Sequence, residues 1–123
     1  MLQLAEAVKN EIDVKFIEWA DDFGEQLNKG GLTTSQIRSI FGIVKKMEQS
    51  SLDIQQFLLL RAQIAYAAKR ANKRGLYDLE KQLKEAITVV AEEKDPKRQN
   101  EYFKRFCKGF EAILAYYRAH GGK

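Results

Sequence analysis

The sequence predicts an all-α protein, a single compact bundle of about five helices spanning residues 1–123. Apolar residues recur every three or four positions along nearly the whole chain, and no segment shows the alternation typical of strands. The chain contains one proline, and paired glycines or serines fall between the periodic segments. A chain of 123 residues with 45% hydrophobic content can bury a core without disulfides or metal.

The first two predicted helices are separated by Gly30 and Gly31. Helix one should cover about residues 2–28. Helix two should begin at Thr33, because Thr33 and Gln36 have the spacing of a capping box. The apolar stripe of helix one is Ile12, Phe16, Trp19, Ala20, Phe23 and Leu27, and that of helix two is Ile37, Ile40, Phe41, Val44 and Met47.

The third and fourth helices are separated by Gly75. Helix three follows a serine pair, with Ser51 or Asp53 as its N-cap, and should end near Lys73. Helix four should extend over about residues 76–93. The apolar stripe of helix three is Ile54, Phe57, Leu58, Ala65 and Ala68, and that of helix four is Leu79, Leu83, Ile87 and Val90.

Helix five has the clearest boundaries. Asp95 is the expected N-cap, Pro96 occupies the first helical position, and a glycine pair at 121–122 follows the end. Its predicted apolar face contains Phe103, Phe106, Cys107, Phe110, Ile113, Leu114 and Tyr117.

Charge is distributed unevenly along the chain, whose net charge is +4. Residues 1–28 contain seven acids and two bases, which leaves ten acids and nineteen bases in residues 29–123. Helices two, three and five are basic, whereas helices one and four are acidic. We therefore divide the domain into an acidic N-terminal helix, residues 1–28, and a basic helical core, residues 33–120. If the basic helices share one side of the bundle, they form a groove for an anionic partner.

Catalysis and metal binding are not expected. The single histidine, His120, lies among the last four residues, where chain ends usually fray. Cys107 lies on the apolar stripe of helix five, which favours core packing over reactivity. No glycine-rich phosphate loop is present. We expect no enzyme activity, no cofactor and no metal.

A cytoplasmic location is expected. The single cysteine excludes an internal disulfide and is typical of a reducing compartment. No apolar run approaches the roughly 18 residues of a membrane span, and the acidic N-terminal segment is unlike a signal peptide. We expect no membrane contact.

The polar face of helix two is basic around a glycine. Ser35, Arg38, Gly42, Lys45 and Lys46 share the face opposite the core. A mid-helix glycine costs about 1 kcal/mol relative to alanine, so its presence needs a reason. Gly42 either lets a phosphate approach the helix backbone between cations or lets another helix approach closely.

Helices three and five supply the remaining basic candidates. Tyr66, Lys69, Arg70 and Lys73 have the spacing i, i+3, i+4, i+7, with Arg74 beside them. Cations with an aromatic ring suit single-stranded nucleic acid, although cations in a last turn also complement the helix dipole. On helix five, Lys104 and Lys108 face away from the core, where a solvated face is the other explanation.

Arg61 falls within the apolar stripe of helix three, where a charge is costly unless it is paired. Either it pairs with an acid across the bundle, or that end of the stripe opens onto a groove. The candidate RNA-binding residues are Arg38, Lys45, Lys46, Arg61, Tyr66, Lys69, Arg70, Lys73, Arg74, Lys104 and Lys108.

Three segments carry a distinctive pattern, namely LTTSQIRSIFGIVKKM (32–47), FLLLRAQIAYAAKR (57–70) and FCKGFEAILAYYRAHGG (106–122). Together they resemble the small subunit of type III-A CRISPR effector complexes, the Csm small subunit. The resemblance extends from about residue 30 to the C-terminus and keeps the order of that family. The chain departs from the family at Arg61-Ala62-Gln63, where Lys-Pro-Lys is common, and at Lys69, where glycine is common.

The resemblance implies an all-helical, non-catalytic subunit. In that family, several copies stack beside the subunits that hold the guide RNA and help to form the channel for the target RNA. The basic motif positions correspond to Arg38, Arg61 and Arg70. The implied partners are single-stranded target RNA, the complex containing the guide RNA, its other subunits and further copies of this chain.

Two other functions fit the sequence. One is a homo-oligomeric adaptor that binds protein helices through exposed aromatics, including Trp19 and Tyr117. The glycine pair at 30–31 could then act as a hinge that lets helix one pack on a neighbouring chain. The other is a helix-turn-helix regulator in which helix three reads a DNA major groove. The regulator should bind duplexes in a sequence-dependent manner, and the adaptor should bind no nucleic acid.

Overall fold

The computed structural model describes residues 2–123, which form six α-helices and no strand. These are α1 (Gln3–Lys9), α2 (Val14–Lys29), α3 (Thr34–Gln49), α4 (Ile54–Ala71), α5 (Arg74–Glu92) and α6 (Pro96–Ala119). The all-α prediction is confirmed, and the expected count of about five is one short.

The extra helix arises because the predicted helix one is two helices. Asn10 ends α1, and its side-chain amide donates to the Glu6 carbonyl oxygen at 3.0 Å. Asp13 begins α2 as an N-cap with extended backbone, and its carboxylate accepts from the Phe16 amide at 2.8 Å. Both side chains form hydrogen bonds with backbone groups that a continuous helix would pair within itself, and they therefore stabilise the break between α1 and α2. The prediction of one helix over residues 2–28 was wrong.

Local signals gave the starts of three later helices. At α3, Thr33 and Gln36 form the predicted capping box in both directions. Asp95 caps α6, with Pro96 in its first turn as predicted. Of the two candidate N-caps for α4, Asp53 is the one observed. Its carboxylate accepts hydrogen bonds from the backbone amides of Gln55 and Gln56.

The junction between α4 and α5 differs from the prediction. Asn72 ends α4 in the left-handed conformation, with φ of 52°, which asparagine tolerates better than most residues. Gly75 was expected to separate the helices but lies inside α5. Its amide donates to the Gly30 carbonyl oxygen at 2.9 Å, and an added Cβ would lie 2.7 Å from the Leu27 carbonyl oxygen. Gly75 is therefore required for the close approach of two chain segments.

Helix α6 is central to the packing. It contacts α1, α2, α3 and α5, whereas α4 packs along α5. Phe57 of α4 meets the edges of Phe103 and Phe106 at centroid distances of 5.2 and 5.1 Å. Phe41 of α3 meets Phe110 in the same way at 5.2 Å. Through these edge contacts, α3 and α4 both pack on the aromatic face of α6.

The adaptor alternative needs Trp19 and Tyr117 on the surface, whereas the predicted apolar face of the last helix includes Tyr117, and the structure agrees with the latter. Tyr117 is fully buried and donates to the Leu32 carbonyl oxygen at 2.5 Å, and Trp19 is half-buried. The predicted stripe of α4 also shifts, because Leu58 and Ala65 are exposed and Leu60 and Ile64 are buried. Within residues 2–123, no helix combines the length and apolar character needed to cross a bilayer.

Candidate nucleic-acid interface

Two of the predicted RNA-binding lysines line one groove, the α3–α6 groove. It lies between the end of α3, the following loop and the first half of α6, and has a volume of about 550 Å³. Lys104 and Lys108 are one helical turn apart on its α6 wall, with Asn100 and the apolar ring of Phe103 beside them. Ser50 and Ser51 line the opposite side. The groove thus combines two cations with neutral hydrogen-bonding groups.

A third predicted residue, Lys45 of α3, stands beside the α3–α6 groove. Its ammonium donates to a carboxylate oxygen of Glu48 at 2.9 Å, and Glu48 lines the groove. That hydrogen bond and the charge of Glu48 raise the pKa of Lys45, so the lysine keeps its proton at neutral pH. The Lys45 ammonium also lies 6.0 Å from the centroid of the Phe41 ring. A third cation therefore lies beside the groove, paired with a carboxylate that lines it.

The rest of the outer face of α3 is open. Arg38 and Lys46 are exposed. A Cβ added to Gly42 would meet nothing within 4 Å. Close approach of another helix of this chain does not account for Gly42. The space beside the Gly42 backbone is therefore open.

The basic end of α4 is also exposed but lies on a different surface. Tyr66 is 68% exposed, and Lys69 and Arg70 follow it on the outer face of α4. Lys73 and Arg74 do not continue this strip, contrary to prediction, because the chain turns at Asn72 and both residues belong to the start of α5. The turn redirects them toward another part of the chain.

The redirected Lys73 lies near the start of α3. Its side-chain carbons come within 3.4–3.8 Å of where a Cβ on Gly31 would be. Gly31 lies three residues before α3, whereas Lys45 lies near its end. Helix α3 has 16 residues, which corresponds to about 24 Å at 1.5 Å per residue. Lys73 and Lys45 therefore lie near opposite ends of α3.

Arg61 is half-buried at the border of the α4 stripe. Among the residues described, its guanidinium has no hydrogen-bond acceptor and no carboxylate within 4.0 Å. The alternative in which Arg61 pairs with an acid across the bundle is wrong. The neighbouring Leu58 is 39% exposed, so this border opens toward solvent.

The groups considered for catalysis are engaged structurally. Burial, with a smaller contribution from the charge of Glu48, raises the pKa of the Cys107 thiol to about 12. Such a thiol is protonated at neutral pH and a poor nucleophile. His120 is held in place by two polar contacts, contrary to the expectation that this end of the chain frays. Its ring Nε2 lies 2.6 Å from an Asp21 oxygen, and its carbonyl accepts from Asn28 at 2.8 Å. Across residues 2–123, no group of three potential metal ligands occurs.

One basic residue acts in a way that the sequence did not reveal. Arg105 Nε donates to the Val8 carbonyl oxygen at 2.7 Å, and its guanidinium lies 5.3 Å from the centroid of the Tyr102 ring. It also donates to the Lys9 carbonyl oxygen at 3.4 Å. Arg105 thus caps the C-terminal end of α1. The partners are almost a hundred residues apart, so helical spacing carried no signal of this contact.

Comparison with known proteins places the chain among CRISPR proteins. Residues 10–123 match the model of a family described as Csm2 Type III-A. A curated protein of Streptococcus thermophilus, described as "CRISPR system Cms protein Csm2", is 32% identical over 109 residues, covering 80% of this chain and 83% of that relative. No solved structure was found to match the chain.

Proposed function

The chain belongs to the Csm2 family of type III-A CRISPR systems, a family of structural subunits of the Csm complex, and on this premise we propose that it binds RNA within that complex. In this proposal it is non-catalytic and cytoplasmic, stacks in several copies and contacts the backbone of the target RNA. Guide RNA supplies sequence specificity by base pairing, so the protein needs phosphate contacts with little base readout.

The α3–α6 groove is the observation that carries the proposal. Lys104 and Lys108 project from one wall and Lys45 stands at the edge, so two basic helices direct cations to one concave surface. Lysine ammonium groups there would neutralise phosphates, and the serine and asparagine side chains would bond phosphate or ribose oxygens. Such contacts do not depend on base identity.

The open face of α3 would extend the contact along the RNA backbone. Arg38 and Lys46 flank Gly42, which has no side chain to keep a phosphate from the helix. Arg61, Tyr66, Lys69 and Arg70 on α4 would add further contacts, and Lys73 and Arg74 beyond the Asn72 turn would contact RNA from a separate position. Tyr66 offers an exposed ring that could stack on an unpaired base.

Contacts between copies would use exposed apolar surface. Leu58 and Leu59 are exposed on one helix, α4, and these apolar side chains have no partner within the described chain. The two aromatic residues on which the adaptor alternative depends are not available as an exposed binding surface, because Tyr117 is buried and Trp19 is half-buried. No observation favours the DNA-binding regulator.

Charge reversal in the α3–α6 groove tests the proposal. Lys104→Glu with Lys108→Glu should weaken target-RNA association by Csm complexes assembled with the variant, and do so equally for any matched guide and target. The slope of log K against log salt should become shallower by about 0.7 for each lost phosphate contact.

Lys81→Glu with Lys84→Glu is the matched control, because both lysines are exposed on the acidic helix α5. It makes the same charge change outside the groove and should leave association unchanged. Equal losses in the two variants, or unchanged binding by the groove variant, would contradict the proposal. Retained helicity and complex assembly must accompany either result.

A further inference from the structure

Helix α1 is held by two helices that lie far from it in the sequence. It packs on α5 and α6 and makes fewer contacts with α2, the helix that follows it in the chain. Leu4, Ala5 and Val8 of α1 are fully buried. With seven residues, α1 is too short to be stable as an isolated helix. Its conformation therefore depends on the surface that receives it.

The surface that receives α1, the α1 docking site, comprises Gln82, Glu85, Arg105 and Gly109. Gln82 Oε1 accepts from the Leu4 amide at 3.2 Å, at the N-terminal end of α1. Arg105 Nε donates to the Val8 carbonyl oxygen at 2.7 Å, at the C-terminal end. Among the described residues, Gln82 is the only buried one with an amide or charged side chain. An empty site would leave that amide without its partners, so the site requires a helix in it.

The segment between α1 and α2, residues 10–13, can open while both helices stay intact. The Asn10 side chain caps the end of α1, and the Asp13 side chain caps the start of α2, so each cap bonds to its own helix. The glycine pair considered as a hinge from the sequence is held, because the Gly75 amide donates to the Gly30 carbonyl oxygen at 2.9 Å. The movable connection is therefore the one after α1.

We propose that the α1 docking site also binds α1 of a second copy, so that two copies of the chain exchange their first helices. Each site then meets the same helix as before, so every contact of α1 is kept and only residues 10–13 change conformation. A short connection favours this exchange, because it has little freedom to fold back on its own chain. Reciprocal exchange closes the pair at two copies.

The exchange goes beyond the proposed function and uses other residues. The matched part of the family model begins at residue 10, after the end of α1. The docking site includes none of the residues proposed for RNA binding. The exchange can therefore be measured on the chain without RNA, and its failure would leave the RNA-binding proposal untouched.

Two cysteine variants of the full chain test the exchange, both with Cys107→Ala to remove the native thiol. One carries Leu4→Cys and the other Gly109→Cys. A Cβ on Gly109 would lie 2.6 Å from Leu4 Cδ1, so cysteines at the two positions are close enough for a disulfide when α1 is docked. Neither variant can form this bond within one chain. After the variants are mixed at high concentration and mildly oxidised, we expect a disulfide-linked pair with one chain of each.

Leu4→Cys mixed with Lys81→Cys, again with Cys107→Ala, is the matched control. Lys81 is exposed on α5 and lies outside the docking site. This mixture should give no linked pair beyond what each variant gives alone. The proposal would be overturned by the absence of a linked pair in the first mixture, or by equal amounts of linked pair in both.

A lengthened connection provides a second test, which does not depend on how the cysteine variants fold. The sequence Gly-Ser-Gly inserted after Asn10 lets α1 reach the site of its own chain more easily. Analytical ultracentrifugation over a concentration series should show a dimer for the unmodified chain and its loss in this variant. The same insertion after Lys94, in the exposed connection between α5 and α6, should keep the dimer. An unmodified chain that stays monomeric throughout, or equal dimer formation by the two insertion variants, would also overturn the proposal.

Discussion

Lys45 and Glu48 form an ion pair at 2.9 Å across one turn of α3, and Glu48 is also part of the lining of the α3–α6 groove. The carboxylate offsets one cation and adds negative charge beside Lys104 and Lys108. The pair is exposed to solvent, which screens it, so its contribution to folding is small. Its larger effect is on the potential inside the groove.

Removal of the Glu48 charge should therefore strengthen RNA binding. Glu48→Gln frees Lys45 and removes repulsion of phosphate, and we expect target-RNA affinity to rise about two- to fivefold. Fluorescence anisotropy with labelled target RNA measures the change. Glu92→Gln, on exposed α5 surface, is the control and should have no effect. Weaker binding by Glu48→Gln would argue that RNA does not enter the groove.

Gly42→Ala should stabilise the protein while weakening RNA binding. Nothing lies within 4 Å of the new Cβ, so the gain in helix propensity of about 1 kcal/mol should appear in urea unfolding. If a phosphate comes close to the α3 backbone, the added methyl group holds it away and affinity falls. Improved stability with unchanged affinity would show that RNA does not contact this part of α3.

Gly75→Ala should have the opposite effect on stability. The new Cβ would lie 2.7 Å from the Leu27 carbonyl oxygen and 3.0 Å from the Leu32 amide nitrogen. Backbone atoms cannot move aside as a flexible side chain can, so we expect a loss of about 1–3 kcal/mol or more. Urea unfolding beside Gly42→Ala, which makes the same chemical change, measures it. Equal stability of the two variants would refute the close approach of α5 to the 27–32 segment.

Arg105→Ala should release α1 from the bundle. Loss of charged hydrogen bonds to Val8 and Lys9 leaves carbonyl groups without a donor and should cost about 1.5–3 kcal/mol. Hydrogen exchange should accelerate most in α1, because that helix has only seven residues. Lys104→Ala, an exposed neighbour on α6, is the control. If hydrogen exchange accelerated equally in all helices, Arg105 would not act locally on α1.

The Cys107 thiol should contribute to alkaline unfolding. Its pKa rises from 9.0 to about 12 on folding, so above pH 9 the unfolded chain ionises while the folded chain does not. The stability of the unmodified chain relative to Cys107→Ala should be constant below pH 9. It should fall between pH 9 and 12, by up to about 4 kcal/mol. A difference that does not vary across this range would show that the thiol titrates alike in both states.

Helix class and helix starts could be predicted because they depend on residues close in sequence. The Thr33 capping box and the Asp95–Pro96 start each act over three or four residues, and the apolar face of α6 follows from helical periodicity alone. The break at Asn10 and Asp13 also had local signals. These were missed because apolar periodicity continues across the break through Ile12, which packs partly against the core.

The basic candidates were identifiable by residue type but could not be grouped from the sequence. The predicted basic strip over residues 66–74 required one continuous helix. Instead, α4 ends at the left-handed Asn72, and Lys73 and Arg74 lie at the start of α5. The meeting of Lys104 and Lys108 with the end of α3 depends on how α3 packs on α6.

The all-helical class, the starts of most helices and the family resemblance could be predicted from the sequence, because they follow from local bonding, periodicity and shared motifs. Which residues meet follows instead from the packing of the helices. It placed Arg105 on α1, Gly75 against Gly30 and Tyr117 against Leu32. Such contacts join residues far apart in the chain, and they depend on packing geometry that local patterns do not encode.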